Sequence, residues 1–195
     1  MELARTRQVI VFTHRLSLLA MLEGAAEKAN VTSRIASLQR ESWGTGEPNE
    51  APLPAQKPKG ALNTLIGSRL LQARKVWEKD GSAQYAIEAK ALCSDIRITI
   101  ERLIEWDLLA DVVQRFRRPI ITKDKIGKLA KVTAADCAFL DDMMTKYSRY
   151  EHSQPQEAPV SMPEPDELGE DLHKLKAWQE EFTQRAIPSA GDMQN

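Results

Sequence analysis

Val9-Ile-Val-Phe12 is an unbroken apolar run that ends abruptly in Thr13, His14 and Arg15. A β-branched run of this kind suits a strand buried on both faces, as in a parallel sheet covered by helices. Leu16 to Lys28 then reads as a helix, so the pattern predicts a strand, a short polar turn and a helix. Val31, Ile35 and Leu38 give the stretch from Thr32 to Gln39 the loose alternation of a second strand. Ser42-Trp-Gly-Thr-Gly-Glu-Pro48 marks a turn, and Pro52, Pro54 and Pro58 make the following residues an extended linker.

Beyond the linker the period changes. Leu62, Leu65, Ile66, Leu70, Ala73, Val76 and Trp77 recur at three- and four-residue spacing and form one helical stripe. Lys79-Asp-Gly-Ser82 stops that helix, with Ser82 a natural N-cap for the next. The second helix is expected from Ala83 to Arg115, with Ala89, Leu92, Cys93, Ile96, Ile100, Leu103 and Ile104 on one face and a break near Trp106-Asp107. Pro119 ends it, and Lys123 to Leu129 reads as a short helical segment. Thr133-Ala-Ala-Asp136 has the spacing of a capping box and should open a helix through Phe139, Leu140, Met143, Met144 and Tyr147. Gln154 to Pro165 holds four prolines and should be extended. A last helix then starts near Glu164, with Leu168, Leu172, Leu175, Trp178 and Phe182 as its stripe. The fold class expected is mainly α: a small strand-helix-strand remnant followed by a helical bundle.

A chain of 195 residues with 42% apolar and 28% charged residues has the composition of a globular protein able to bury a real core. Its net charge of −1 gives no overall bias toward nucleic acid or membrane. Cys93 and Cys137 stand alone, which fits buried thiols in a reducing compartment better than a disulfide framework. The apolar runs are too short to span a bilayer and the N-terminus lacks the layout of a secretory signal, so a cytoplasmic protein is expected. Three widely scattered histidines and two cysteines give no metal-ligand spacing, and no Ser-His-Asp or Cys-His arrangement is visible.

A strand ending in Phe12-Thr13-His14 just before a helix resembles the switch-histidine loop of ABC-class ATPases, the group that includes SMC, RecF-type and related AAA family proteins. The likeness extends to the Ser42–Pro48 turn, the Ile100-Glu-Arg-Leu-Ile-Glu105 helix and the Pro163-Glu-Pro-Asp-Glu-Leu168 segment. In such proteins the histidine follows a phosphate-binding loop, a signature segment and an acidic strand that handles magnesium. This sequence has no G-x-x-x-x-G-K-[ST] and no apolar strand ending in Asp-Glu. The resemblance therefore implies the C-terminal segment of an ATPase, without its nucleotide-binding core. His14 would contact the γ-phosphate across a dimer of heads, and ATP and Mg would bind only if another polypeptide, or a second copy, completed the site. A histidine capping a strand end is the plainer alternative for His14.

Arg97, Glu101 and the downstream His152 resemble the nuclease module of the anticodon nucleases, tRNA ribonucleases that carry an ABC-type ATPase in their N-terminal part. That likeness implies a restriction or antiphage role and metal-free RNA cleavage. Histidine and glutamate would move protons at the ribose 2′-hydroxyl and the leaving oxygen, while arginine stabilises the phosphorane. The gap from Glu101 to His152 is longer than the family's pattern, and an i,i+4 surface pair beside a loop histidine is the plainer reading. Arg115, Arg117, Arg118, Lys123, Lys125, Lys128 and Lys131 form a basic segment that suits a nucleic-acid backbone or a merely solvated face. From Glu151 to Glu181 the net charge is −7, so the acidic last helix is expected to pack near the basic segment and screen it.

The expected organisation is an ATPase-head remnant over 1–47, a Pro-rich linker over 48–60 and a helical effector or coupling domain over 61–152. A Pro-rich connection and acidic helix over 153–187 and a disordered tail over 188–195 complete it. The rival expectation is a non-catalytic helical module that binds a partner ATPase or a coiled coil.

Overall fold

The computed structural model describes residues 1–115, 117, 119–151 and 161–188. It is mainly α with a small β part, as the patterning predicts, and it divides into two units. The first comprises Met1–Gln56 with Gln114–Ile120; the second comprises Lys57–Val113 with Ile121–Asn195.

In the first unit, helix α1 (Leu16–Lys28) precedes a two-stranded antiparallel hairpin, β1 (Ser37–Glu41) and β2 (Gly44–Asn49). The order is thus helix, strand, strand. Thr13 Oγ1 accepts the Arg15 N–H at 3.0 Å just ahead of α1, and Asn30 at φ 52° turns the chain out of it. Ser42-Trp43 makes the tight hairpin turn, and the register slips between Gln39 and Arg40 where Gly46, at φ 86°, bulges out. The strand expected at Val9–Phe12 is not formed. Strand backbone requires a partner ladder, and the two strands of the hairpin pair only with each other. Val9, Ile10, Val11 and Phe12 instead lie irregular and exposed, Phe12 by 78%. Among the described residues of this unit, only Ala26 and Gln114 are buried.

The second unit is built on one long helical path. Helix α2 (Pro58–Thr64) passes through a π-type turn, Leu65–Arg69, into α3 (Leu70–Leu103). Pro58 at the first helical position has no N–H to satisfy, which favours the start there. Gly81 interrupts α3 with φ 79° and ψ −178°, where the Asp-Gly-Ser sequence predicts a stop. The expected run to Arg115 ends earlier. A π-type turn over Ile104–Leu108 closes the helix, and Ala110 and Asp111 then adopt positive φ. A short 3₁₀ turn over Ile126–Lys131 leads into α4 (Ala134–Ser148), opened by the full Thr133–Asp136 capping box. Helix α5 (Pro165–Gln184) follows.

Helix α3 is the hub, with α4 and α5 packed against it. Leu168, Leu172, Leu175 and Phe182 on α5 are fully buried at the spacing of a heptad seam. Together they stabilise the unit by roughly 6–12 kcal/mol at the usual value per buried side chain. Leu92, Ile96, Ile100 and Leu103 of α3 and Leu140 and Tyr147 of α4 are buried as well, where α4 and α5 pack on α3. Gly169 lets α5 approach closely, since a Cβ there would sit 3.3 Å from Leu70 Cδ2 and 3.2 Å from Arg74 Nη2. No helix among the described residues is long and apolar enough to cross a membrane.

Candidate functional site

Ser94, Arg97 and Glu101 lie along one side of α3 at i, i+3 and i+7, flanking the stripe that α3 buries. Arg97 Nη2 meets Glu101 Oε1 at 3.2 Å, so the sequence-predicted pair does form. The last turn of α4 comes up against the same guanidinium. Arg97 Nε donates to Ser148 Oγ at 3.3 Å, and Arg97 Nη1 donates to Glu151 Oε2 at 2.7 Å. Ser94 Oγ donates to the other Glu151 oxygen at 2.9 Å. Glu151 is itself placed by its N–H on the Ser148 carbonyl, which continues the turn of α4. A cation beside the C-terminal end of α4 also complements the partial negative charge there.

The cluster is half-buried rather than enclosed, with the Arg97 and Glu151 side chains about 30% exposed. Ser94 also lines an open groove of about 880 Å³, shared with Trp77, Tyr85, Ile87, Lys90 and Met162. His152 lies outside the described residues, so of the three expected residues two are brought together. Ser94, Ser148 and Glu151 were not expected. The 94-97-101 spacing on α3 was the available signal, but their meeting with α4 is a contact across more than fifty residues of sequence.

The other expected site residues are dispersed. His14 sits exposed in a bend immediately before α1, neither in a strand nor in a helix. Arg115 is exposed and Arg117 Nε donates to the Pro119 carbonyl at 3.2 Å; both belong to the first unit. Arg118 lies outside the described residues. In the second unit Lys123 and Lys128 are exposed, Lys125 pairs with Asp111, and Lys131 Nζ donates to the Phe182 carbonyl at 2.7 Å. The carboxylates of α5 reach other cations: Asp166 pairs with Arg74, Glu167 and Asp171 with Lys146, Glu181 with Arg185. Of the expected approach of α5 to the basic segment, the contact of Lys131 with Phe182 is found. The spacing of the α5 seam turns its acids toward α3, α4 and its own next turn.

Two further polar networks fix the helices. Asp136 takes both Arg185 nitrogens, at 2.6 and 3.0 Å, and the Trp178 Nε1–H at 2.9 Å. These donors and Thr133 hold its carboxyl well below the usual carboxylate range despite its burial. Asp171 accepts from Tyr147 Oη at 2.9 Å and Lys146 Nζ at 2.6 Å. Burial pushes the Cys93 thiol up to about 12, which makes it a core residue rather than a nucleophile. Among the described residues no three His, Cys, Asp or Glu side chains gather in a way that would hold a metal ion.

Comparison with family models, with curated proteins and with solved structures finds no match to this chain.

Proposed function

We propose that the chain is a C-terminal segment of an ABC-class ATPase system of the restriction or antiphage kind, acting in the cytoplasm, with its helical unit as an RNase effector. The observation that carries this reading is that, among the described residues of the first unit, only Ala26 and Gln114 are buried. An apolar Val9–Phe12 run stands exposed beside α1, whose Leu18 and Met21 are exposed too. Exposed apolar side chains mark an interaction site where they form one contiguous patch. A β-branched run with unpaired backbone is suited to joining an existing sheet. Joined in that way, Val9–Phe12 would deliver His14 to the rim of a nucleotide site whose phosphate-binding loop and acidic strand belong to other residues. ATP and Mg would be held there, and the imidazole would donate to a phosphoryl oxygen.

The effector part of the reading is supported by the Arg97–Glu101 pair and by Glu151, next in sequence to His152, on the same guanidinium. In it, Arg97 offsets charge on the phosphorane while Glu101 and His152 move the protons. Two assays test the proposal. Submillimolar ATP with Mg should leave the melting temperature of this chain unchanged, and a clear upward shift would overturn the segment reading. Wild-type protein should cleave RNA without added metal and Glu101→Ala should not; equal cleavage by both removes the effector role.

A non-catalytic interaction module is the second reading. It is favoured by Leu71 and Trp77 of α3, exposed by 48% and 39%. Protein that cleaves no RNA and binds an ATPase through these two residues would establish it.

A further inference from the structure

Arg97 has three separate donor edges, each with its own acceptor. Nη2 goes to Glu101, Nε to Ser148 and Nη1 to Glu151. Glu101 is on the same helix and Ser148 is the last residue of α4, so these two hold the guanidinium in a fixed plane. Glu151 differs. Its carboxylate occupies the outward edge, the place where a phosphodiester oxygen would accept from an arginine. Its hold is strong, at 2.7 Å with a second anchor on Ser94. A bound anion and Glu151 would compete for one set of N–H groups, and their like charges would repel.

We propose that Glu151 is an occluding residue: it stands in for the RNA phosphate on Arg97 and must leave before RNA can engage the site. This rests on the RNase reading for the identity of the ligand. Arg97 stays oriented by Glu101 and Ser148 when Glu151 departs. The apparent affinity for RNA is then the intrinsic affinity multiplied by the fraction of molecules in which Nη1 is free.

The test is fluorescence anisotropy with a labelled single-stranded RNA at low salt, on wild type, E151A, R97Q and the R97Q/E151A double variant. E151A should bind about tenfold tighter than wild type, the scale of one charge-assisted contact regained. The gain should vanish in the R97Q background. A gain that persists without Arg97 reflects only the removal of a negative charge and overturns the proposal, as does no gain in E151A. Circular dichroism checks the fold, and S94A, which removes only the second anchor of Glu151, should give a smaller gain in the same direction. RNA cleavage separates this proposal from the reading beneath it. Arg97-dependent tighter binding without cleavage by any variant retains the occlusion and discards the nuclease. Cleavage that depends on Glu101, with E151A binding as wild type does, retains the nuclease and discards the occlusion.

Discussion

Replacing Asp136 with Asn should be among the most damaging single changes in the helical unit. The side chain is 3% exposed and accepts two nitrogens of Arg185, the Trp178 indole N–H, and both the N–H and hydroxyl of Thr133. It therefore joins the cap of α4 to the last turn of α5. Asn keeps the shape but loses the charge, and its NH₂ replaces one acceptor among donors of which only the Thr133 hydroxyl can also accept. Breaking one side of a buried, hydrogen-bonded pair costs about 3–5 kcal/mol. With one acceptor retained, about 3 kcal/mol is expected, or roughly 10 °C in melting temperature for a chain of this size. Urea unfolding followed by circular dichroism at pH 7 measures it directly. The pH dependence carries a sign. The folded carboxyl titrates below its unfolded value, so its stabilisation is complete above pH about 4 and is lost as pH falls further. The gap between wild type and Asp136→Asn should therefore narrow only below about pH 4. A cycle with Arg185→Ala should show a coupling of about 2 kcal/mol. A cost below about 1 kcal/mol at pH 7, or no coupling, would refute the argument that this pair links the two helices.

Asp107, in the turn that closes α3, behaves in the opposite way. Burial raises its carboxyl to about 6 against the lowering effects of a Gln179 hydrogen bond and of Lys131, so wild-type stability should rise as pH falls from about 6 to about 4. Asp107→Asn should accordingly stabilise the protein by on the order of 2–3 kcal/mol at pH 8, with the gain gone by pH 4 in the same urea assay. Gly81→Ala should cost about 1–3 kcal/mol, because the φ of 79° and ψ of −178° there are strained for any residue with a Cβ. An unchanged melting temperature would mean that the two halves of α3 straighten through position 81.

The helical unit was largely legible in the sequence because its signals are local. The Leu168–Phe182 seam, the Thr133–Asp136 box and the Asp-Gly-Ser break each act within a few residues of themselves, and each is found where the pattern puts it. The break expected near Trp106-Asp107 is found in the π-type turn at Ile104–Leu108, but the helix does not resume to Arg115, because Ala110 and Asp111 take positive φ, which is not written in those residue types. Val9–Phe12 failed for a different reason. An apolar run states what a segment would do beside a partner strand, and says nothing about whether that partner is within reach. The candidate site was half legible. Arg97 and Glu101 share a helix and so follow from spacing, whereas Ser148 and Glu151 reach Arg97 only through the packing of α4 on α3.

The central claim is that the first unit completes a nucleotide-binding body made by other residues, and site-specific photo-crosslinking tests it most directly. A photoreactive phenylalanine analogue at position 12, with Phe12 itself 78% exposed, would be activated in cells of the natural host and the crosslinked peptide sequenced by mass spectrometry. The account predicts a bond to a sheet segment of a polypeptide that carries G-x-x-x-x-G-K-[ST], lost when Ile10 and Val11 are changed to Asp. A crosslink confined to residues 1–195, or one to a protein without a phosphate-binding loop, would contradict it.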